Sequence, residues 1–291
     1  MQTGAGKGDM VSKSTIDFAR AAVCAALLAP LALPASEEGA RLQTAPINSS
    51  DPASLQNGAK VFVNYCLNCH SASYMRYNRL QDLGLSEQQI GDNLIFTGAK
   101  VGELMQVAMD KKDAKEWFGV QPPDLTVTAR SRSSGAGSGA DWIYSYLHAF
   151  YRDSTRPTGW NNLVYENVAM PHVLWQLNGQ QQLVVREFTS EHEAQAALIA
   201  AKSVARLDEE VSVKDGKETR RYVLKTLQPG TGTLSQTEYD RLIADLVNYM
   251  TFMAEPMHLV RRQIGIYVLL FLGILFIFAF LLKKEYWKDV H

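Results

Sequence analysis

The sequence predicts a mainly α protein: a helical domain with a small α/β excursion, plus one C-terminal transmembrane helix. Three observations lead there. Apolar residues recur at helical spacing ahead of a CLNCH pentapeptide and again in a stripe from Leu242 to Met253. Two strand-like runs, QLVVREF and RYVLKTL, sit between them. Nineteen uncharged residues, Ile264 to Leu282, then stand between Arg261 and Arg262 on one side and Lys283 and Lys284 on the other.

The chain opens on Lys7, Lys13 and Arg20, followed by the thirteen-residue run AAVCAALLAPLAL and the small residues PAS. Charge, apolar core and small residues in that order read as a secretory signal peptide, assigned to residues 1–35 with cleavage near Ala35. The run is too short to cross a bilayer, which takes about 20 apolar residues. Export makes residues 36–260 a periplasmic body and discards Cys24, so the mature chain carries Cys66 and Cys69. The two ends carry net charges of +1 and +3, and the body −5. A mildly acidic exported body argues against a nucleic-acid partner and suits a basic soluble protein.

Within the body a helix is expected to open at Asp51 and Pro52 and to carry Val61, Phe62 and Tyr65 toward YCLNCHSASY. Two cysteines three apart can be half of a zinc site, a redox dithiol, a disulfide in an oxidising compartment, or an attachment point for haem. Zinc needs a second ligand pair that the mature chain lacks, and a thioredoxin-like dithiol needs a βαβ context that is absent. The histidine directly after Cys69 favours haem, because Cys-x-x-Cys-His is the c-type attachment signature. On a helix, Cys66, Cys69 and His70 share a face at i, i+3 and i+4. Both thiols can then reach one porphyrin edge while His70 turns beneath the iron. One covalently bound haem c is the expected cofactor, in a domain of the class I cytochrome c type.

Further along, Pro122 and Pro123 fix an extended backbone with exposed carbonyls, one of which can accept the Nδ1 proton of His70. An ordinary loop stop fits the pair equally well. Residues 131–141, SRSSGAGSGAD, read as a flexible loop with no phosphate-binding pattern. Among the methionines, Met105 and Met109 stand at helical spacing and read as core, as do Met250, Met253 and Met257. Met170 differs. It lies in NLVYENVAMPHVLW with Pro171 behind it to stop a helix, so it is the expected sixth ligand, opposite His70, with His172 as a rival.

Residues 178–233 read as an excursion without identifiable chemistry. A strand at QLVVREF is followed by a helix through SEHEAQAALIAAKSVARLDEE, opened by a capping box from Ser190 to Glu193, and by a second strand at RYVLKTL. Another capping box, Ser235 to Glu238, opens the helix whose Leu242, Ile243, Leu246, Val247, Met250 and Met253 form a stripe expected to pack on the haem-bearing helix. Residues 261–283 are the expected transmembrane anchor and 284–291 the cytoplasmic tail, with its lysines on the side where basic flanks belong. Arg261 and Arg262 fall on the opposite side and read as headgroup contacts.

Four stretches, YCLNCHSASYMRYNRL, WFGVQPPDLTVTARSR, YENVAMPHVLW and MAEPMHLVRRQIGIYVLLF, together resemble the cytochrome c1 subunits of quinol:cytochrome c oxidoreductase, in that family's order. No motif carries over between Asn178 and Gly232. The resemblance implies that Met170 is the axial methionine and that Arg130 is similar to the family's arginine that meets a haem propionate. An arginine's planar fork suits such a carboxylate, and Arg132 stands close by. It also implies electron transfer from a Rieske iron–sulfur centre to a soluble or membrane-bound cytochrome c. The setting implied is a dimeric cytochrome bc1 complex with cytochrome b and Rieske subunits, in a bacterial inner membrane with the haem domain on the periplasmic side. Histidine and methionine together leave no iron position for oxygen or peroxide, and a thioether ligand raises the potential. No carboxylate pair or activated nucleophile is evident, so the subunit is expected to conduct electrons within an enzyme without a catalytic residue of its own. Three other readings stay open: the c-type cytochrome of another membrane complex, such as a haem–copper oxidase; a haem sensor or peroxidase with Met170 off the iron; and a disulfide-bearing envelope protein without haem.

Overall fold

The computed structural model describes residues 39–107, 109–214 and 217–288, so the expected signal peptide lies outside the described residues. Strand β1 (Ala40–Arg41) leads into helix α1 (Pro52–Val61). Asp51 accepts hydrogen bonds from the Ala53 and Ser54 amides, and Pro52 fills a first-turn position where no amide hydrogen is needed. The helix widens into a π-helical turn, Phe62–Cys66. Then follow β2 (Ala72–Arg76), a 3₁₀ helix (Tyr77–Leu83), α2 (Glu87–Leu94), β3 (Leu104–Met105), α3 (Lys111–Phe118), α4 (Thr128–Ser131) and α5 (Gly139–His148). Strands β4 (Phe150–Arg152) and β5 (Trp160–Asn162) and the short α6 (Trp175–Asn178) lead to β6 (Gln182–Phe188), α7 (Glu191–Ala200), β7 (Ala205–Lys214) and β8 (Lys217–Gln228). Helix α8 (Gln236–Ala254) returns to the core, and α9 (His258–Tyr286) leaves it.

The core is built on α1 against α8. Leu55, Ala59 and Phe62 are buried with Tyr239, Ile243, Leu246, Val247, Met250 and Met253, so the apolar stripe packs where its spacing predicts. Gly58 sets how close the helices come: a Cβ there would run into the Asp245 carbonyl and lie 2.6 Å from Tyr249 Cβ. Ser54 Oγ donates to Asp245 at 2.6 Å, and the Asn248 amide donates to the Asn48 carbonyl at 2.7 Å, which pins the register. The cysteine-bearing turn thus continues from a helix that is buried along this seam.

The excursion is α/β as expected, with more strand than the two runs predicted. It forms an antiparallel sheet in the order β1-β7-β8-β6, with α7 packed beside it. The expected helix from Ser190 stops at Ala200, and ARLDEE becomes the start of β7. Pairing of Arg206 through Lys214 with β8 outweighs the local helical character of that run. At its neck the two chain ends touch, since a Cβ on Gly179 would lie 2.6 Å from the Gly230 carbonyl carbon. Gly179 also has a φ of +86°, which other residues adopt only with strain.

Three further expectations change. Residues 131–141 are not a featureless loop: Ser134 bridges Gly137, and Ser138 with Asp141 forms a capping box that opens α5. Met105 lies on a strand, not a helix, although it is fully buried and its sulfur accepts from the Tyr249 hydroxyl at 3.6 Å. Met257 is 53% exposed at the exit from α8 and does not belong to the core. The C-terminal helix meets its expectation: the span Val260–Tyr286 is long and apolar enough to cross a membrane, and among the described residues none buries its most apolar stretch.

Candidate haem site

Cys66, Cys69 and His70 stand at the end of the helical stack. The Cys69 and His70 amides both donate to the Cys66 carbonyl, at 3.1 and 2.9 Å, so one turn holds all three side chains. Both cysteines are free thiols. Burial, with a smaller contribution from Cys69, pushes the Cys66 thiol up to about 12, and burial also raises Cys69. A redox dithiol relies on a stabilised thiolate, so this environment is wrong for one. Among the described residues no group of three or more His, Cys, Asp or Glu is placed to hold a metal ion.

His70 is buried, and its Nδ1 lies 2.7 Å from the Pro123 carbonyl. A carbonyl only accepts, so Nδ1 carries the proton and Nε2 is the basic nitrogen; it makes no hydrogen bond among the described residues. Burial lowers the His70 pKa, against smaller opposing effects of Pro123 and Asp124, and so favours the neutral ring. Pro123 is docked there by the residues that follow it. Asp124 accepts from the Ser73 and Thr126 amides at 2.7 and 2.9 Å, and the Leu125 amide donates to the Ser71 carbonyl at 2.9 Å. Burial alone would raise the Asp124 carboxyl, but hydrogen bonds from Thr126 and Ser73 hold it below the usual range. The PPDL segment is thus fastened to the four residues after His70, and Asp124 is a positioning residue that the sequence reading passed over.

Met170 belongs to a different wall. Its sulfur accepts from the Tyr146 hydroxyl at 3.4 Å, leaving the second sulfur lone pair free. Tyr146 stacks on Trp142 at 4.9 Å and meets Phe150 edge-on at 5.0 Å, a column along α5 into β4. His172 continues the column, parallel to Phe150 at 4.8 Å and edge-on to Trp160 at 5.2 Å. It is 1% exposed and its Nε2 has no partner among the described residues; burial, reinforced by His148, depresses it to about 3. The rival imidazole is therefore packed within an aromatic box, whereas Met170 is half-buried at the edge of the same cluster.

The two arginines separate. Arg130 is exposed and lines a groove of about 480 Å3 with Leu55, Arg79, Glu255 and Met257, at the foot of α9. Arg132 lies over the Trp142 ring at 4.5 Å and the Tyr165 ring at 5.8 Å, beside Tyr146 and hence beside the Met170 wall. The cation next to the candidate ligand is Arg132, two residues on from the one the resemblance suggested. The helix that carries Trp142 and Tyr146 at i and i+4 was hidden behind the Gly/Ser-rich run, and with it the stacking that draws Arg132 inward.

Two free thiols on one turn, directly before an imidazole whose Nε2 makes no hydrogen bond among the described residues, fit a covalently attached haem. Comparison with known proteins agrees. The Cytochrome C1 family model matches residues 43–117 and 232–290, which contain Cys66, Cys69, His70 and the membrane helix. Pro123, Arg132 and Met170 lie between the matched blocks. The chain is 48% identical over 266 residues to cytochrome c1 of Allochromatium vinosum, covering 91% of this chain and 96% of that one. It is 45% identical over 275 residues to a Nitrosomonas europaea protein named ammonia monooxygenase gamma subunit, covering 92% and 96%. Cytochrome c1 of Rhodospirillum rubrum is 26% identical over 262 residues, covering 82% and 83%. The chain belongs to the cytochrome c1 family, haem c electron-transfer proteins anchored by a C-terminal apolar helix.

Proposed function

We propose that Cys66 and Cys69 hold the haem by two thioethers, that His70 and Met170 are its axial ligands, and that Arg132 meets a propionate. Bound there, haem c supplies a one-electron iron couple, which histidine and methionine ligation sets high. The chain's own residues do the rest. Pro123 fixes the His70 tautomer, so that Nε2 is the donor nitrogen. Tyr146 orients the Met170 thioether, and the rings of Trp142, Tyr146, Phe150 and Trp160 keep water from that side. The observation that carries the reading is the 2.7 Å contact of His70 Nδ1 with Pro123, directly behind two free thiols.

In this reading residues 36–260 form a periplasmic domain with a class I cytochrome c core, and residues 178–233 are an excursion from it. Residues 1–35 are a cleaved signal peptide, 261–283 the anchor and 284–291 a cytoplasmic tail. The domain takes electrons from a Rieske centre and hands them to a soluble or membrane-bound cytochrome c, within a dimeric bc1 complex that includes cytochrome b. The acidic body favours a basic acceptor, so the association rate falls as ionic strength rises. The purified full-length protein is tested by absorption spectroscopy with and without carbon monoxide. A low-spin spectrum unaffected by the gas is expected; ready binding would instead support a sensor or peroxidase. Removal of residues 262–291 should release a soluble, haem-loaded fragment, and a fragment that stays in the membrane without partner subunits would refute the anchor.

A further inference from the structure

The excursion had no identifiable chemistry in the sequence, yet its sheet reaches the loop that ends at Met170. Glu166, four residues before Met170, accepts from Lys225 Nζ on β8 at 2.9 Å and pairs with Arg206 on β7 at 3.4 Å. Asp208 holds both cations from the other side, at 2.7 Å to Arg206 and 2.7 Å to Lys225. All four side chains are a quarter to a third exposed, in contrast to the outer pairs of the same sheet, such as Arg221 with Glu187, which are more than half exposed. A shielded network of two cations and two carboxylates with short contacts resists rearrangement far better than exposed pairs do.

The loop is held from its own side as well. Asn162 Oδ1 accepts from the Val164 and Tyr165 amides, at 2.9 and 3.2 Å, and Asn161 Oδ1 accepts from the Asn167 amide at 2.8 Å. Asn167 sits at φ +59°, and Arg156 grips its carbonyl at 2.8 Å. These contacts fix residues 164–167 from beneath, and Glu166 is where the excursion takes hold. The sheet and the methionine loop are therefore tied together.

We propose that the Arg206, Asp208 and Lys225 cluster is a clamp that acts through Glu166 to hold the Met170 thioether on the iron, and so sets the redox potential. The excursion is a positioning module for the distal ligand. This rests on the reading of Met170 as sixth ligand. Glu166→Gln breaks the clamp with a near-isosteric side chain, and the sign of its effect is diagnostic. Losing an anion beside the haem would by itself favour ferrous iron and raise the potential, whereas a loosened thioether lowers it. In the full-length, haem-loaded protein, Glu166→Gln and Lys225→Met are expected to lower the potential, weaken the far-red charge-transfer band of the ferric iron–thioether bond, and increase carbon monoxide binding. Lys225→Arg should restore all three. Arg221→Gln, on an exposed pair of the same sheet, should leave them unchanged, which controls for disturbance of the sheet. Met170→Leu tests the underlying reading. If it removes the band while Glu166→Gln keeps the band and raises the potential, the clamp is overturned and the ligand stands. If the band survives Met170→Leu, the ligand assignment itself is overturned.

Discussion

Cys66, Cys69 and His70 are fixed by main-chain hydrogen bonds at the end of a helix buried against α8, whereas Met170 hangs on a loop held by side chains from α5, β5 and the excursion. In the proposed site the proximal side, around His70, is local in sequence: its turn closes within five residues, and Pro123, brought to it from afar, is anchored by the residues immediately after His70. Its distal side, around Met170, is assembled from residues 132 to 225. A site built this way has one half whose geometry follows from the backbone and one half whose geometry can be tuned without disturbing the core.

The strongest way to break the proximal half is Cys66→Ala with Cys69→Ala, which should abolish haem that survives denaturing electrophoresis; a surviving haem stain would place attachment elsewhere. On the distal half, Met170→Leu should leave the haem attached and lower its midpoint potential, read by redox titration, because the thioether is lost. An unchanged potential would point to His172. The base of the proximal half is probed by Gly58→Ala. The added methyl meets the Asp245 carbonyl, so α1 and α8 must separate, with a loss of about 2 kcal/mol in denaturant unfolding. Stability equal to the parent would mean that the seam is softer than its hydrogen bonds suggest. The smallest effect is expected from Arg132→Gln, which should lower the potential modestly by removing a cation beside the haem, while Arg130→Gln should do nothing. Equal effects would undo the distinction between the two arginines.

How much of this was legible follows the same division. The CLNCH spacing, the Pro123 carbonyl, the stripe on α8 and the apolar anchor are patterns within short windows, where period and spacing carry the information. The excursion's β7 was misread as helix because AAKSVARLDEE has no local feature that outweighs its pairing with β8. Nothing in ARSR tells which guanidinium will find Trp142 ten residues later, so the inward placement of Arg132 was not legible. Glu166 reads as an ordinary loop acid until Lys225, 59 residues away, is brought to it. Contacts of that kind are set by tertiary packing and leave no trace in composition.

The neck at Gly179 and Gly230 gives the excursion a property of its own. Because the chain leaves and rejoins the core at nearly one point, the far ends of β7 and β8, beyond the strand β1 and the Glu166 cluster, can lengthen or shorten without altering the path of the helices on either side. Natural variation in this segment would then act as a dial on the electron affinity of the iron while folding remained the business of the core, two traits open to selection separately.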